Sequence, residues 1–126
     1  MFDDEKVILI IDDNEVNVRM AKNLLESKLK CRVITESNGI DGLKALERNP
    51  VVNLLILDIK MPLMNGIETL RKIRADKNLK DMKVLMFTAA ADKGTVITTA
   101  ELGISGYIKK PFNTDDLICR VKECLY

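Results

Sequence analysis

Asp12, Asp13, Asp58, Thr88 and Lys110 are the side chains of this sequence best equipped for joint chemistry, because each stands at the end of a short apolar run. Asp12 and Asp13 follow Val7–Ile11, Asp58 follows Leu54–Leu57, Thr88 follows Val84–Phe87, and Lys110 comes just after Gly106–Ile108. A charge placed against a doubly buried strand is costly without a partner. If the three carboxylates share one crevice, two of them about 5 Å apart at an effective dielectric near 20 repel by roughly 3 kcal/mol. Either a carboxyl pKa rises or a cation joins them. With oxygen ligands alone, and neither imidazole nor thiolate among them, a hard ion is favoured, and Mg2+ suits a site that keeps waters and accepts a phosphate oxygen. A carboxylate beside such an ion, with a hydroxyl and an ammonium at hand, has the parts for phosphoryl transfer. Asp58 would attack phosphorus, Thr88 would donate a hydrogen bond to one phosphoryl oxygen, and Lys110 would pair with another.

Composition narrows the field. A chain of 126 residues fits one domain and buries enough surface to fold without disulfides or a structural metal. Twenty basic and nineteen acidic residues leave a formal charge of +1, which gives no electrostatic footprint for nucleic acid or an anionic membrane. Val7–Ile11 is too short for a signal-peptide core or a membrane span, so a cytoplasmic location is expected. The sequence has no histidine, which excludes histidine triads, a histidine general base and most zinc sites. Cys31, Cys119 and Cys124 form an odd set without metal-ligand spacing and read as reduced, partly buried thiols.

The elements that must position these groups alternate strictly. Apolar runs at Val7–Ile11, Arg32–Thr35, Leu54–Leu57, Val84–Phe87 and Gly106–Ile108 read as strands. Helical spacing follows four of them: Val16, Met20 and Leu24 with Ala21 and Leu25; Leu43 and Leu46 after Asn38-Gly39; Ile67, Leu70 and Ile73; and Leu117, Val121, Cys124 and Leu125. Asn113 or Thr114, ahead of Asp115 and Asp116, is a good helix start. The fourth helix is expected in "KGTVITTAELG", residues 93–103, where β-branched Thr95 to Thr99 weaken local propensity and tertiary contacts must hold it. Five strand–helix units predict an α/β fold, a doubly wound five-stranded parallel sheet with helices on both faces. The order 2-1-3-4-5 puts strands 1 and 3 at the switch point, where Asp12, Asp13 and Asp58 converge, and leaves strand 2, ending in "ITES", at the edge. Residues 1–126 are expected to form a single domain with no output domain attached.

The fragments "IIDDNE", "LLILDIKMPLMNG", "VLMFTA" and "GYIKKPF", in that order and each at a strand end, resemble the receiver domain of two-component response regulators, over the whole chain. The resemblance implies the flavodoxin-like receiver fold, Asp58 as phosphoacceptor, and Mg2+ held by Asp12, Asp13 and Asp58 with the carbonyl of Lys60. Of the adjacent pair, Asp13 is the expected direct ligand. It also implies Thr88 as the switch hydroxyl, Lys110 as the phosphate-pairing lysine, Tyr107 as the aromatic that changes rotamer, and a cis bond to Pro111. Lys109 and Lys110 cannot both enter the site, since successive strand side chains oppose one another. The family lysine directly precedes proline, which selects Lys110.

Such a domain is no conventional turnover enzyme, although it catalyses its own phosphorylation and dephosphorylation. With no histidine of its own it must receive the phosphoryl group from another protein. The resemblance implies a sensor histidine kinase or a histidine phosphotransfer protein docking near the first helix. A downstream protein target would meet the surface of the fourth helix, fifth strand and fifth helix. Three other readings compete. A receiver-like interaction module without phosphorylation would have lost an acid, the hydroxyl or the lysine. A flavodoxin-like cofactor binder would open its first loop with glycine, serine or threonine, where this chain has "DDNE". An aspartyl phosphohydrolase would carry an acid two residues after the nucleophile, where this chain has Lys60.

Overall fold

The computed structural model describes residues 5–89 and 92–126. Five strands, β1 (Lys6–Ile11), β2 (Cys31–Glu36), β3 (Leu54–Asp58), β4 (Val84–Thr88) and β5 (Gly106–Lys109), alternate with five helices, α1 (Glu15–Lys28), α2 (Gly39–Arg48), α3 (Gly66–Ala75), α4 (Lys93–Leu102) and α5 (Thr114–Leu125). The strands form one parallel sheet in the order β2-β1-β3-β4-β5. This is the expected doubly wound architecture, with β2 at one edge and β1 beside β3 at the switch point.

Side-chain alternation along the strands divides the core in two. Leu9, Ile11, Leu55, Leu57, Val84 and Met86 face one layer, with Ala45 and Leu46 of α2, Leu70 and Ile73 of α3, and Leu102 of α4. Ile8, Ile10, Leu54, Ile56, Leu85, Phe87 and Ile108 face the other, against Ala21 and Leu25 of α1 and Leu117 and Val121 of α5.

Every helix starts on a side-chain cap. Asn14, Asn38, Asn65, Asp92 and Asn113 each accept from a backbone N–H in the first turn, and Asn65 with Glu68 completes a capping box. Asn113, and not Thr114, is therefore the cap of α5.

Two sequence expectations are corrected. Val16 and Met20 lie on the exposed side of α1, at 60% and 55% accessibility, because the helix seats Ala21 and Leu25 against the sheet and the row through 16 and 20 is rotated away. Cys119 is exposed on α5, whereas Cys31 is buried and its thiol is pushed up to about 11, mainly by burial.

The β-branched run does form α4. Thr99 is its one buried residue among those described, and its hydroxyl bonds back to the carbonyls of Thr95 and Val96 at 2.9 and 3.2 Å. Gly103, with φ of 80°, closes the helix in the left-handed conformation. Arg74 of α3 donates to the carbonyls of Leu102 (2.8 Å), Gly103 (2.5 Å), Lys80 (2.8 Å) and Met82 (2.8 Å), so one guanidinium ties the C-terminal end of α4 to α3 and to the approach to β4.

Candidate active site

The carboxyl ends of β1, β3 and β5 put Asp12, Asp58 and Lys110 on one face. Each continues the parity of the α1/α5 layer (Ile8, Ile10, Asp12; Leu54, Ile56, Asp58; Ile108, Lys110), so the same alternation that packs the core aims these three into one crevice. One carboxylate oxygen each from Asp12, Asp13 and Asp58 lie within 4.8 Å of one another. Asp12 and Asp58 are buried; Asp13 is exposed at the rim.

Lys110 Nζ enters this cluster. It lies 2.7 Å from Asp12 Oδ2 and 3.3 Å from Asp58 Oδ2. It also sits 4.8 Å above the ring of Phe87, which in turn packs against Phe112 at 5.9 Å. The backbone N–H of Lys110 donates to the carbonyl of Thr88 at 2.9 Å, and the Lys110–Pro111 peptide is cis. Lys109 is exposed on the opposite parity.

The remaining oxygens are satisfied unevenly. Asp58 Oδ1 accepts from the N–H of Ile59 at 2.8 Å and Asp12 Oδ1 from that of Asn14 at 3.0 Å. Asp12 Oδ2 is buried with no well-directed hydrogen bond, so the adjacent ammonium balances its charge without satisfying its lone pairs. Burial pushes the Asp58 carboxyl up to about 6; Asp12 adds to the rise and Lys110 opposes it. An all-oxygen cluster, one of whose buried oxygens lacks a directed partner, fits a hard divalent cation.

The loop after β3 is built to hold Asp58 still. The N–H of Gly66 donates to the carbonyl of Ile59 at 2.8 Å, and a Cβ on Gly66 would overlap the carbonyl of Asp58. Only glycine admits this approach. Between them, Met64 N–H donates to Pro62 O at 2.7 Å across Leu63, whose φ is 69° and whose side chain is 79% exposed.

The other sequence-selected residues are Thr88, Tyr107 and Lys60. Thr88 is buried at the end of β4. Tyr107 has the opposite parity to Lys110, packs with the α2–α4 layer, and its hydroxyl meets Thr99 Oγ1 on α4. Lys60 is exposed; its charge helps hold the Asp92 carboxyl below its ordinary value, after the larger effect of hydrogen bonds from Thr95, and does not figure among the influences on Asp58. Sequence reasoning did not select Phe87, Thr99 or Arg74. Strand parity marks Phe87 as facing the Lys110 side, whereas no local pattern marks the other two.

A doubly wound parallel sheet with an acidic crevice at its switch point, in place of a glycine-rich phosphate loop, defines a distinct class of flavodoxin-like domain. The chain belongs to the family described as the response regulator receiver domain, whose profile matches residues 8–122. It is 35% identical over 118 residues to the chemotaxis protein CheY homologue of Campylobacter jejuni, covering 94% of this chain and 91% of that one. Among solved structures it resembles a CheY-like receiver domain protein of Methanospirillum hungatei, at 34% identity and a TM-score of 0.86 over 96% of this chain and 94% of the other. It also resembles the Mn2+-bound form of response regulator Rcp1, at 28% identity and a TM-score of 0.79 over 94% and 90%. Membership makes the chain a CheY-like receiver domain of two-component signalling, and its acidic cluster is of the kind at which receiver domains bind Mg2+. No described helix is long and apolar enough to cross a membrane.

Proposed function

We propose that Asp58 accepts a phosphoryl group from a phosphohistidine on a sensor histidine kinase or histidine phosphotransfer protein, in the cytoplasm, and that the modified domain engages a downstream protein through the α4-β5-α5 surface. The observation that carries this reading is the position of Lys110 Nζ between Asp12 Oδ2 and Asp58 Oδ2. Asp58 Oδ2 attacks phosphorus, the P–N bond to the donor imidazole breaks, and its electron pair leaves with the imidazole. Mg2+ held by Asp12, Asp13, Asp58 and the Lys60 carbonyl would neutralise charge on the transferring group. The Mn2+ in the related Rcp1 structure supports a divalent ion here.

The chain's own groups do the positioning. Ile59 N–H fixes Asp58 Oδ1 and so presents Oδ2 to the donor. Lys110 swings from Asp12 to a phosphoryl oxygen, its ammonium guided by the Phe87 face. Thr88, at the neighbouring strand end, supplies a hydroxyl to another oxygen, and Tyr107 on the adjacent β5 responds by changing rotamer.

Phosphorylation by acetyl phosphate in Mg2+, followed by mass spectrometry of borohydride-trapped peptides, tests the assignment. A label on Asp58 that is lost in Asp58→Asn supports it; a label elsewhere, or none, overturns it.

A further inference from the structure

We propose that Thr99 is the residue through which α4 holds Tyr107 in the resting domain, so that one hydroxyl on α4 sets how readily the switch is thrown. The inference rests on the receiver reading above and adds a partner for the tyrosine. Thr99 is wholly buried and is the one described residue of α4 that is. Its hydroxyl has a single proton, committed to the helix itself by the Thr95 carbonyl at 2.9 Å and the Val96 carbonyl at 3.2 Å. Its lone pairs then face the Tyr107 hydroxyl, which must act as donor. The result is a directed chain from Tyr107 Oη–H to Thr99 Oγ1 and on to the Thr95 carbonyl. A second, longer approach of Tyr107 Oη to the Val96 carbonyl at 3.5 Å keeps the ring against the same turn of helix.

The rest of α4 makes this contact count. Its exposed Val96 and Ile97 contribute nothing to the core, and its C-terminal end is fastened by Arg74 whatever Tyr107 does. Withdrawal of the tyrosine releases the first two turns of α4 and leaves the end near Gly103 in place. Such motion is a pivot, with the Thr99–Tyr107 contact as its catch. Because Tyr107 can find water when it leaves and Thr99 keeps its bond to Thr95, the catch is worth about one neutral hydrogen bond, a population ratio of about three- to tenfold.

The test is a double-mutant cycle read by titration with beryllofluoride, an acyl-phosphate mimic, at saturating Mg2+, following amide NMR shifts along α4. Thr99→Val keeps the shape and removes the hydroxyl, and Tyr107→Phe removes the other partner. Each is expected to raise apparent affinity for the mimic about three- to tenfold, the double variant no further than either single one, and Thr99→Ser to restore the wild-type midpoint. Thr99→Val titrating like wild type, or single effects that multiply in the double variant, overturns the proposal. Failure of the wild-type domain to take up beryllofluoride overturns the phosphoacceptor reading itself, a distinguishable result.

Discussion

Lys110 Nζ stands closer to Asp12 Oδ2, at 2.7 Å, than to Asp58 Oδ2, at 3.3 Å. The lysine thus serves as counter-charge for the deeper acid while remaining within reach of the more reactive one. Lys110→Ala leaves both carboxylates without their cation and is expected to cost about 1–3 kcal/mol in urea unfolding near neutral pH and to abolish the structural response to beryllofluoride. Exposed Lys109→Ala should change stability by less than about 0.5 kcal/mol and leave the response intact. The reverse pattern would reassign the lysine.

Asp58 makes the metal-free domain sensitive to pH. Its folded-state carboxyl is raised to about 6 from an ordinary value of 3.8, so its stabilising contribution is complete below 3.8 and is lost as pH rises through 6. Asp58→Asn in chelator should therefore be more stable than wild type near neutral pH, by about 1–3 kcal/mol. The advantage should shrink to nothing as the pH falls below about 4. An advantage independent of pH in chemical denaturation would refute the charge-repulsion account.

Divalent ion should act oppositely. At ten times its Kd, Mg2+ adds about 1.4 kcal/mol of stability, a rise in Tm of roughly 5 °C for a domain of this size. Asp13 is exposed and carries little of the fold, so Asp13→Asn should melt like wild type in chelator yet lose most of the Mg2+ increment. If calorimetry shows the full increment in that variant, Asp13 is not a ligand.

Lys60 is expected to slow hydrolysis of the acyl phosphate by covering it, since it is a long, exposed cation two residues after Asp58. Lys60→Ala should shorten the phosphorylated lifetime several-fold, measured as decay of phosphate-labelled protein after donor removal. An unchanged lifetime would confine Lys60 to its present neighbour, Asp92.

Helix α4 should exchange its amide protons faster than α1, which seats Ala21 and Leu25 in the core, while α4 buries Thr99 alone among the described residues. Removing the Arg74 clamp sharpens the contrast. Arg74→Ala strips donors from four carbonyls and is expected to cost about 2–3 kcal/mol, with the largest loss of protection at the C-terminal end of α4. Uniform protection of α1 and α4 would contradict this picture.

The sheet order was legible because strand 2 alone ends without a site residue and so belongs at the edge, and the meeting of Asp12, Asp58 and Lys110 because parity along a strand fixes a residue's face and the strand end its depth. The β-branched segment was legible as a helix only from its place after β4; its composition argued against it. Val16 and Met20 misled because an apolar stripe on a helix is wider than the face it buries. Thr99 and Arg74 left no trace in pattern. Each acts on partners distant in sequence, a hydroxyl across α4 and β5 and carbonyls gathered from two loops, and such meetings exist only once the chain has folded.

Gly66 places the first turn of α3 directly against the peptide of Asp58, with no side chain between them to compress. One jaw of the crevice is thereby stiff, and the helix that follows the neighbouring strand β4 is the compliant element, with Thr99 alone buried among its described residues. Strain shared between unequal elements does its work on the compliant one. The sense of the domain's mechanical response is thus fixed by a missing methyl group.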